Sequence, residues 1–445
     1  MIVRFSVENW MSFHGKAELS MIASRERQHR ERVSRVEKYR MGILPIAAVY
    51  GGNASGKTNF FKALSFARKF VVGVTQPDSL IPVQTFRLDE DSREHPVRFS
   101  FELLIGETIY EYVFAVTSSA VIEEKLVEIT SSAEKILFDR RDGEPNFCES
   151  LGKDDTLRVV FRGTRDNQLF LTNSVSQKVE VFSPVYSWFR DSLLLLTPES
   201  RFQSFEQFLD RENLLNATMC EILLQFDTGI SHLGGENISF ELLPLPDEVK
   251  TKLEEDVKEN VAARIDSGPR GECFLVTRKN KQLQVQKLVA FHPRVNGSDV
   301  PFELRDESDG TRRVIDLLPA FLALSSENNK VVVIDEIDRS LHTLLTRRLL
   351  EMYLGGCSPE SRTQLLFTTH DVLQMDQDML RRDEMWVTER NALGESRLYS
   401  FSEYKDVRYD KDIRKSYLQG RLGGIPKILF CGACSKRADD GSGND

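Results

Sequence analysis

The 445-residue sequence predicts an α/β fold, in which a largely parallel sheet is joined by an antiparallel β meander and interrupted by an inserted helical lobe. Three observations predict it. Apolar runs without alternation (GILPIAAVYGG at 42–52, KVVVIDEID at 330–338, TQLLFTTHD at 363–371) alternate with helix-period segments, as strands buried on both faces do. Residues 97–130 instead alternate strongly, in VRFSFELLI, TIYEYVFAV and VIEEKLVEI, which reads as antiparallel strands. Between about 183 and 265 the apolar spacing turns to three and four residues, in FEQFLDRENLLNATMCEILLQFD and LPDEVKTKLEEDVKENVAARI.

The elements follow in order. IVRFSVENW and KAELSMI read as two short strands around a turn, and a highly charged stretch occupies 22–41. The strand ending at Tyr50 delivers the chain to a glycine-framed loop, and TNFFKALSFARKFVV reads as the helix after it. CFLVTR and LQVQKLVA bring strands back at 273–290, then TRRVIDLLPAFLAL and LHTLLTRRLLEMYL read as helices flanking the 330–338 strand. This divides the chain into 1–182, a helical lobe at 183–265, a second half of the core at 266–405 and a tail at 406–445.

Bulk properties narrow the classes. A chain of 50.9 kDa can bury a large core in two lobes. A net charge of -9, from 59 basic and 68 acidic side chains, excludes a wholly basic nucleic-acid coat but permits a local basic face. Six scattered cysteines suit a reducing cytosol better than a disulfide framework. No apolar run matches a bilayer span and MIVRFSVENW lacks a signal-peptide layout, so the expectation is a cytoplasmic protein.

Chemistry concentrates in four places. GGNASGKT at 51–58 fits G-x-x-x-x-G-K-T through Gly51, Gly56, Lys57 and Thr58, with Gly52, Asn53, Ala54, Ser55 and Asn59 completing the loop and helix start. Backbone N–H groups there would cradle phosphates, Lys57 would meet the β/γ-phosphates, and the Thr58 hydroxyl would join a Mg²⁺ shell, which makes ATP and Mg²⁺ the expected ligands. Asp335 and Glu336 end an apolar strand, where such sheets place ligands: Asp335 for the metal, Glu336 as general base. His370 ends another strand and could report the γ-phosphate. Ser308 and Gly310 precede a helix, whose N-terminal N–H groups could receive phosphate from a second copy.

The order of these motifs resembles the ABC-type ATPases, in the branch shared with the SMC and Rad50 proteins. That resemblance implies an ABC-type P-loop ATPase head, with Ser308 and Gly310 as a diverged signature motif, Asp335-Glu336 as Walker B with its catalytic glutamate, Asp338 and Ser340-Leu341-His342 near the D-loop, and His370 as the switch histidine. Gln84 fits the family's Q-loop glutamine poorly. FSVENWMSFHG, TFRLDED, LLQFDTGI, DESDGTRR, IDEIDRSLH and YDKDIRKSYLQGRLGGIP together look like the stand-alone ATPases of bacterial phage-defence loci, the abortive-infection and RloA-like group. The resemblance implies a homodimer or higher oligomer with shared ATP sites and a separate TOPRIM-related, RloB-like nuclease effector, since this chain shows no nuclease site of its own. Two other readings stay open: an SMC- or RecF-like DNA-repair ATPase, and a scaffold in which ATP fixes an assembly with little turnover.

Two stretches stand outside that scheme. Residues 25–40 carry Arg25, Arg27, Arg30, Arg32, Arg35, Lys38 and Arg40 against Glu26, Glu31 and Glu37, which suits either a nucleic-acid backbone contact or a solvated helix face with internal ion pairs. Cys431 and Cys434 form a lone C-x-x-C, open to a zinc or redox role or to neither.

Overall fold

The computed structural model describes residues 1–141, 144–149, 151–152, 155–200, 214–257, 262–266, 272–279, 282–404 and 412–424. Strands are numbered in chain order. One sheet of seven carries β1 (Ile2–Glu8), β2 (Ala17–Ser20), β6 (Val97–Ile105), β7 (Thr108–Val116), β8 (Val121–Ile129), β9 (Glu134–Arg141) and β10 (Glu144–Phe147), in the order β10-β9-β8-β7-β6-β1-β2 and antiparallel throughout. The second sheet carries β5 (Ile46–Gly51), β11 (Leu193–Leu196), β17 (Val331–Ile334), β18 (Gln364–Thr368), β19 (Met385–Arg390) and β20 (Ser396–Ser400). Its order is β11-β17-β18-β5-β19-β20, parallel as far as β19, with β20 antiparallel at the edge.

Burial on both faces explains why the parallel strands do not alternate. Ile46, Ala48 and Tyr50 of β5 face a core shared with the helices Asp309–Ser326, Thr343–Gly355 and Leu214–Gln225, while Ala47 and Val49 face the antiparallel sheet and helix α1 (Lys57–Val72). Aromatic rings fill that second interface: Phe99 stacks between Phe66 and Phe114, and Phe5 meets both Phe60 and Phe101. The result is a two-sheet α/β architecture in which helices back the parallel sheet.

The span 183–265 differs from the helical lobe expected of it. Leu193–Leu196 is an edge strand of the parallel sheet, and β12 (His232–Ile238) and β13 (Ala262–Asp266) join β14 (Cys273–Lys279), β15 (Gln282–Pro293) and β16 (Asp299–Glu303) in a third, antiparallel sheet. Helices within it are Ser183–Ser187, Leu214–Gln225 and Asp247–Asp256; part of the FEQFLDRENLL stretch lies outside the described residues. The reason is non-local pairing: His232 lies opposite Phe291, and the glycines of HLGGENI hide the strand pattern. The charged stretch 22–41 is likewise no α-helix. It holds the 3-10 turns Arg30–Arg32 and Glu37–Tyr39, with β3 (Ser34–Val36) pairing β4 (Met41–Ile43). Cys431 and Cys434 lie outside the described residues.

Gln364, fully buried at the start of β18, links the two main sheets. Its Oε1 accepts from the Ile2 N–H (2.6 Å), and its Nε2 donates to the carbonyls of Ile2 (2.9 Å) and Leu44 (3.1 Å). A Gln364→Leu substitution keeps the volume but strands three buried backbone groups. We expect denaturant unfolding to report a loss on the order of 3 kcal/mol, against under 1 kcal/mol for an exposed glutamine such as Gln28.

Candidate functional site

The glycine-framed loop runs from the end of β5 into α1, and two glycines are required by their neighbours. Gly51 has φ 150°, and a Cβ there would sit 2.4 Å from Thr388 Oγ1. Gly56 has φ 117°, and a Cβ would sit 2.6 Å from Ser396 Oγ. Both clashes come from the β19–β20 hairpin, so the loop is moulded against that edge; the Ser55 and Thr388 hydroxyls meet at 2.6 Å. Asn59 donates to Ser12 Oγ (2.8 Å), and Trp10 Nε1 donates to the Asn59 carbonyl (2.8 Å), which ties the start of α1 to the antiparallel sheet.

Lys57 is 5 % exposed, and its Nζ folds back to donate to the carbonyls of Gly51 (2.7 Å) and Gly52 (3.1 Å). Burial pushes its ammonium down to about 8, and the carboxylates of Asp335, Glu336 and Asp338 oppose that shift. Nζ also lies 3.3 Å from His370 Nδ1. An ammonium can only donate, so Nδ1 accepts and the imidazole proton sits on Nε2, 4.0 Å from Glu336 Oε1. Burial first, and Lys57 second, hold the His370 pKa below its usual value, which favours that neutral ring.

Asp335 and Glu336 leave β17 side by side, and Thr368 of neighbouring β18 organises both. Its Oγ1 donates to Asp335 Oδ1 (2.7 Å) and accepts from the Glu336 N–H (2.8 Å). Glu336 takes a left-handed turn, φ 49°, which presents its half-buried carboxylate to the cavity. Asp335 is 2 % exposed and faces the Thr58 hydroxyl at 3.4 Å. A carboxylate and a hydroxyl in this setting fit a hard divalent cation that draws its other ligands from phosphate and water. Among the described residues no group of three or more His, Cys, Asp or Glu could hold a metal by itself.

A cavity of about 740 Å³ is lined by Lys57, Thr58, Glu336 and His370. One end is the 53–59 loop with Glu336 and His370; the other is lined by Met11, Phe86, Arg87, Leu88 and Arg390. Gln84 lines it too, its carbonyl accepting from the Met11 N–H (2.9 Å). The sequence offered little sign of this second end: TFRLDED was legible only as part of a resemblance, and Arg390 not at all.

Lys57, Thr58, Asp335, Glu336 and His370 are therefore brought together, whereas Ser308 and Gly310 are not among the residues lining that cavity. Ser308 caps the helix Asp309–Ser326, its Oγ accepting from the Thr311 N–H (3.0 Å). Gly310 lies against the loop after Glu336, where a Cβ would sit 2.9 Å from the Ser340 carbonyl oxygen. Arg313, one turn on and 4 % exposed, donates to the carbonyls of Thr197 (3.3 Å) and Glu336 (3.5 Å).

Comparison with known proteins follows that geometry. A family model described as "AAA domain, putative AbiEii toxin, Type IV TA system" matches residues 46–376. Among solved structures, the SMC head domain from Thermotoga maritima is similar at 13% identity, covering 90% of this chain and 98% of its own, with a TM-score of 0.35. The Pyrococcus furiosus Smc head domain with an extended coiled coil, bound to the C-terminal domain of ScpA, is similar at 10% identity, 90% and 96% coverage and a TM-score of 0.37. An SmcHead bound to the C-winged helix domain of ScpA gives 9%, 91% and 98%, and 0.38. No curated protein matches. No helix among the described residues is long and apolar enough to cross a membrane.

The lowered Lys57 pKa makes phosphate binding proton-linked. A bound polyphosphate favours the ammonium, so binding takes up almost no proton at pH 6.5 and close to one at pH 9, and affinity falls as pH rises through about 8. Titration calorimetry of ATP in buffers of different ionisation enthalpy should measure that uptake. Uptake at pH 9 that is unchanged in Lys57→Arg would assign it to another group.

Proposed function

The chain belongs to the AAA-domain family matched above, and from that premise we propose that it is an ATP-hydrolysing switch subunit of an anti-phage system. Two copies would close head to tail around two ATP molecules and control a separate effector. One observation carries the reading: the strand ends of β5, β17 and β18 bring Lys57, Glu336 and His370 to one cavity, with Asp335 beside it against Thr58, while the helix capped by Ser308 begins outside the lining of that cavity. A head that is complete for binding, with a second phosphate-seeking surface outside its own cavity, suits a site finished by another copy. The family description, which names a toxin of a type IV toxin–antitoxin system, supports placing the chain in defence.

Each residue then has a defined task. The loop amides and Lys57 hold the phosphates, and water is kept out as the second copy closes. Thr58 and Asp335 would hold Mg²⁺, which when bound neutralises the β- and γ-phosphate oxygens. Glu336 takes the proton of the attacking water as its oxygen bonds to the γ-phosphorus and the bond to the bridging β-oxygen breaks. His370, with its proton on Nε2, lies between Lys57 and Glu336, so loss of the γ-phosphate changes the charge it feels from both sides. Ser308 and Gly310 of the second copy would contact that γ-phosphate, so ATP joins the dimer and hydrolysis releases it. A TOPRIM-related nuclease is the effector class we propose for the partner.

Glu336→Gln should lower ATP turnover by about 10²–10⁴-fold and accumulate an ATP-bound dimer or larger complex in mass photometry. Wild-type turnover with an unchanged mass would refute the assignment. Shared sites are tested by mixing: Lys57→Ala and Ser308→Arg should each be inactive alone, and together should regain turnover, because half of the sites in a mixed dimer carry neither change. No recovery on mixing would place Ser308 in its own chain's site. Turnover stimulated many-fold by duplex DNA in the absence of any effector would favour the DNA-repair reading.

A further inference from the structure

We propose that a cavity at the opposite end of the parallel sheet binds the phosphodiester backbone of nucleic acid. The cavity, about 370 Å³, is formed by residues 23–42 and Arg381. These segments lead into the N-terminal ends of β5 and β19, whereas the ATP loop follows the C-terminal end of β5, a strand length of about 20 Å away.

Ion pairing explains how a chain of net charge -9 concentrates positive charge here. The acid of this segment that could neutralise it most closely, Glu26, is buried and consumed: its Oε1 accepts from Arg382 Nε (2.9 Å) and its Oε2 from the Arg382 N–H (2.9 Å). Arg32 is the one basic side chain that turns inward, onto buried Glu384 (2.5 Å). Arg25, Arg27, Arg30, Arg35, Lys38 and Arg40 stay on the surface, against exposed Glu31 and Glu37. Folding therefore withdraws one acid and one base, and leaves six basic side chains facing two acids at the surface.

The cavity is also rigidly framed. Arg381, 1 % exposed, lines it with one edge of its guanidinium, Nε and Nη2, on Asp383 (2.8 and 2.7 Å) and its Nη1 on the carbonyls of Glu26 and Gln28. Among the described residues Arg30 donates to the main-chain carbonyls of Glu26 and Arg25, and Arg35, on β3, and Arg40, just before β4, both line the cavity. The exposed guanidinium groups of Arg30, Arg35 and Arg40 around a concavity, with Glu37 the one exposed acid in its lining, suit phosphate oxygens rather than a cation or a neutral peptide. Nothing in the lining is placed to read a base, so binding is sequence-blind.

The test uses the full chain and fluorescence anisotropy with short labelled duplex DNA and single-stranded RNA across a salt series. Arg35→Gln with Arg40→Gln should weaken binding to whichever nucleic acid the wild type takes, and should make the salt slope shallower by about one per arginine replaced. Its ATP turnover without nucleic acid should match wild type, which shows that the variant is folded and keeps this outcome separate from the ATP-site reading. Unchanged affinity and slope in that variant would overturn the proposal. Inorganic tripolyphosphate, titrated in a Lys57→Ala background so that the ATP loop does not take it up, separates the sources of phosphate. If it displaces nucleic acid at matched phosphate concentration, the cavity serves a small polyphosphate and the proposal fails.

Discussion

The hydroxyl of Thr368 is the group on which the site depends. It sits 4 % exposed at the end of β18, between the strand that leads to the phosphate loop and the strand that leads to the carboxylates. By donating to Asp335 and accepting from the Glu336 N–H, one oxygen satisfies a buried carboxylate and fixes the left-handed turn after it. A non-glycine residue at φ 49° costs on the order of 1 kcal/mol and persists only where its surroundings define it. Register in the parallel sheet supplies that definition: Ile334 lies opposite Phe367 and Val49 opposite Thr368, so three strand ends are level where a phosphate would lie.

From that alignment follows the charge balance of the cavity. Lys57 is surrounded by loop carbonyls on one side and by three carboxylates and an imidazole on the other. Burial weakens the ammonium and the carboxylates sustain it, which leaves a cation that gains strongly when a polyphosphate arrives. Arg339 adds a second positive group beside Glu336, at 3.9 Å, but is held more closely by exposed Glu199 at 2.8 Å. Exposed pairs of that kind contribute little energy, so Glu336 keeps freedom to turn toward a water.

Sequence and structure agree where chemistry and local pattern coincide. The loop G-x-x-x-x-G-K-T, the apolar strand ending in Asp335-Glu336, the strand ending at His370 and the Ser308 cap all lie where periodicity and residue type placed them, because each is encoded within about ten neighbouring residues. The third sheet was not legible: β12 and β15 pair across about fifty residues, and alternation in HLGGENI is broken by its own glycines. The far wall of the ATP cavity was hidden for the same reason. Phe86 and Arg390 are distant in sequence and become neighbours only through the fold.

The outer surface is tied to the site through the helix Asp309–Ser326. The helix that begins at Ser308 is held at two points by the turn around Glu336: Gly310 packs against the Ser340 carbonyl, and Arg313 reaches the carbonyl of Glu336 itself. Arg313 also binds the Thr197 carbonyl, at the end of β11, so edge strand, helix cap and carboxylate turn share one buried guanidinium. Burial depresses its pKa against the opposing pull of Asp316, Glu199 and Glu336, and its Nε has no hydrogen-bond partner, so its carbonyl contacts help keep the charge tolerable there. A close-packed joint of this kind cannot stretch gradually. Displacement of the helix cap by a second copy would have to be met either by movement of the Glu336 turn or by loss of those carbonyl bonds. The joint thus gives a contact outside the cavity a direct mechanical path to the Glu336 carboxylate that lines it.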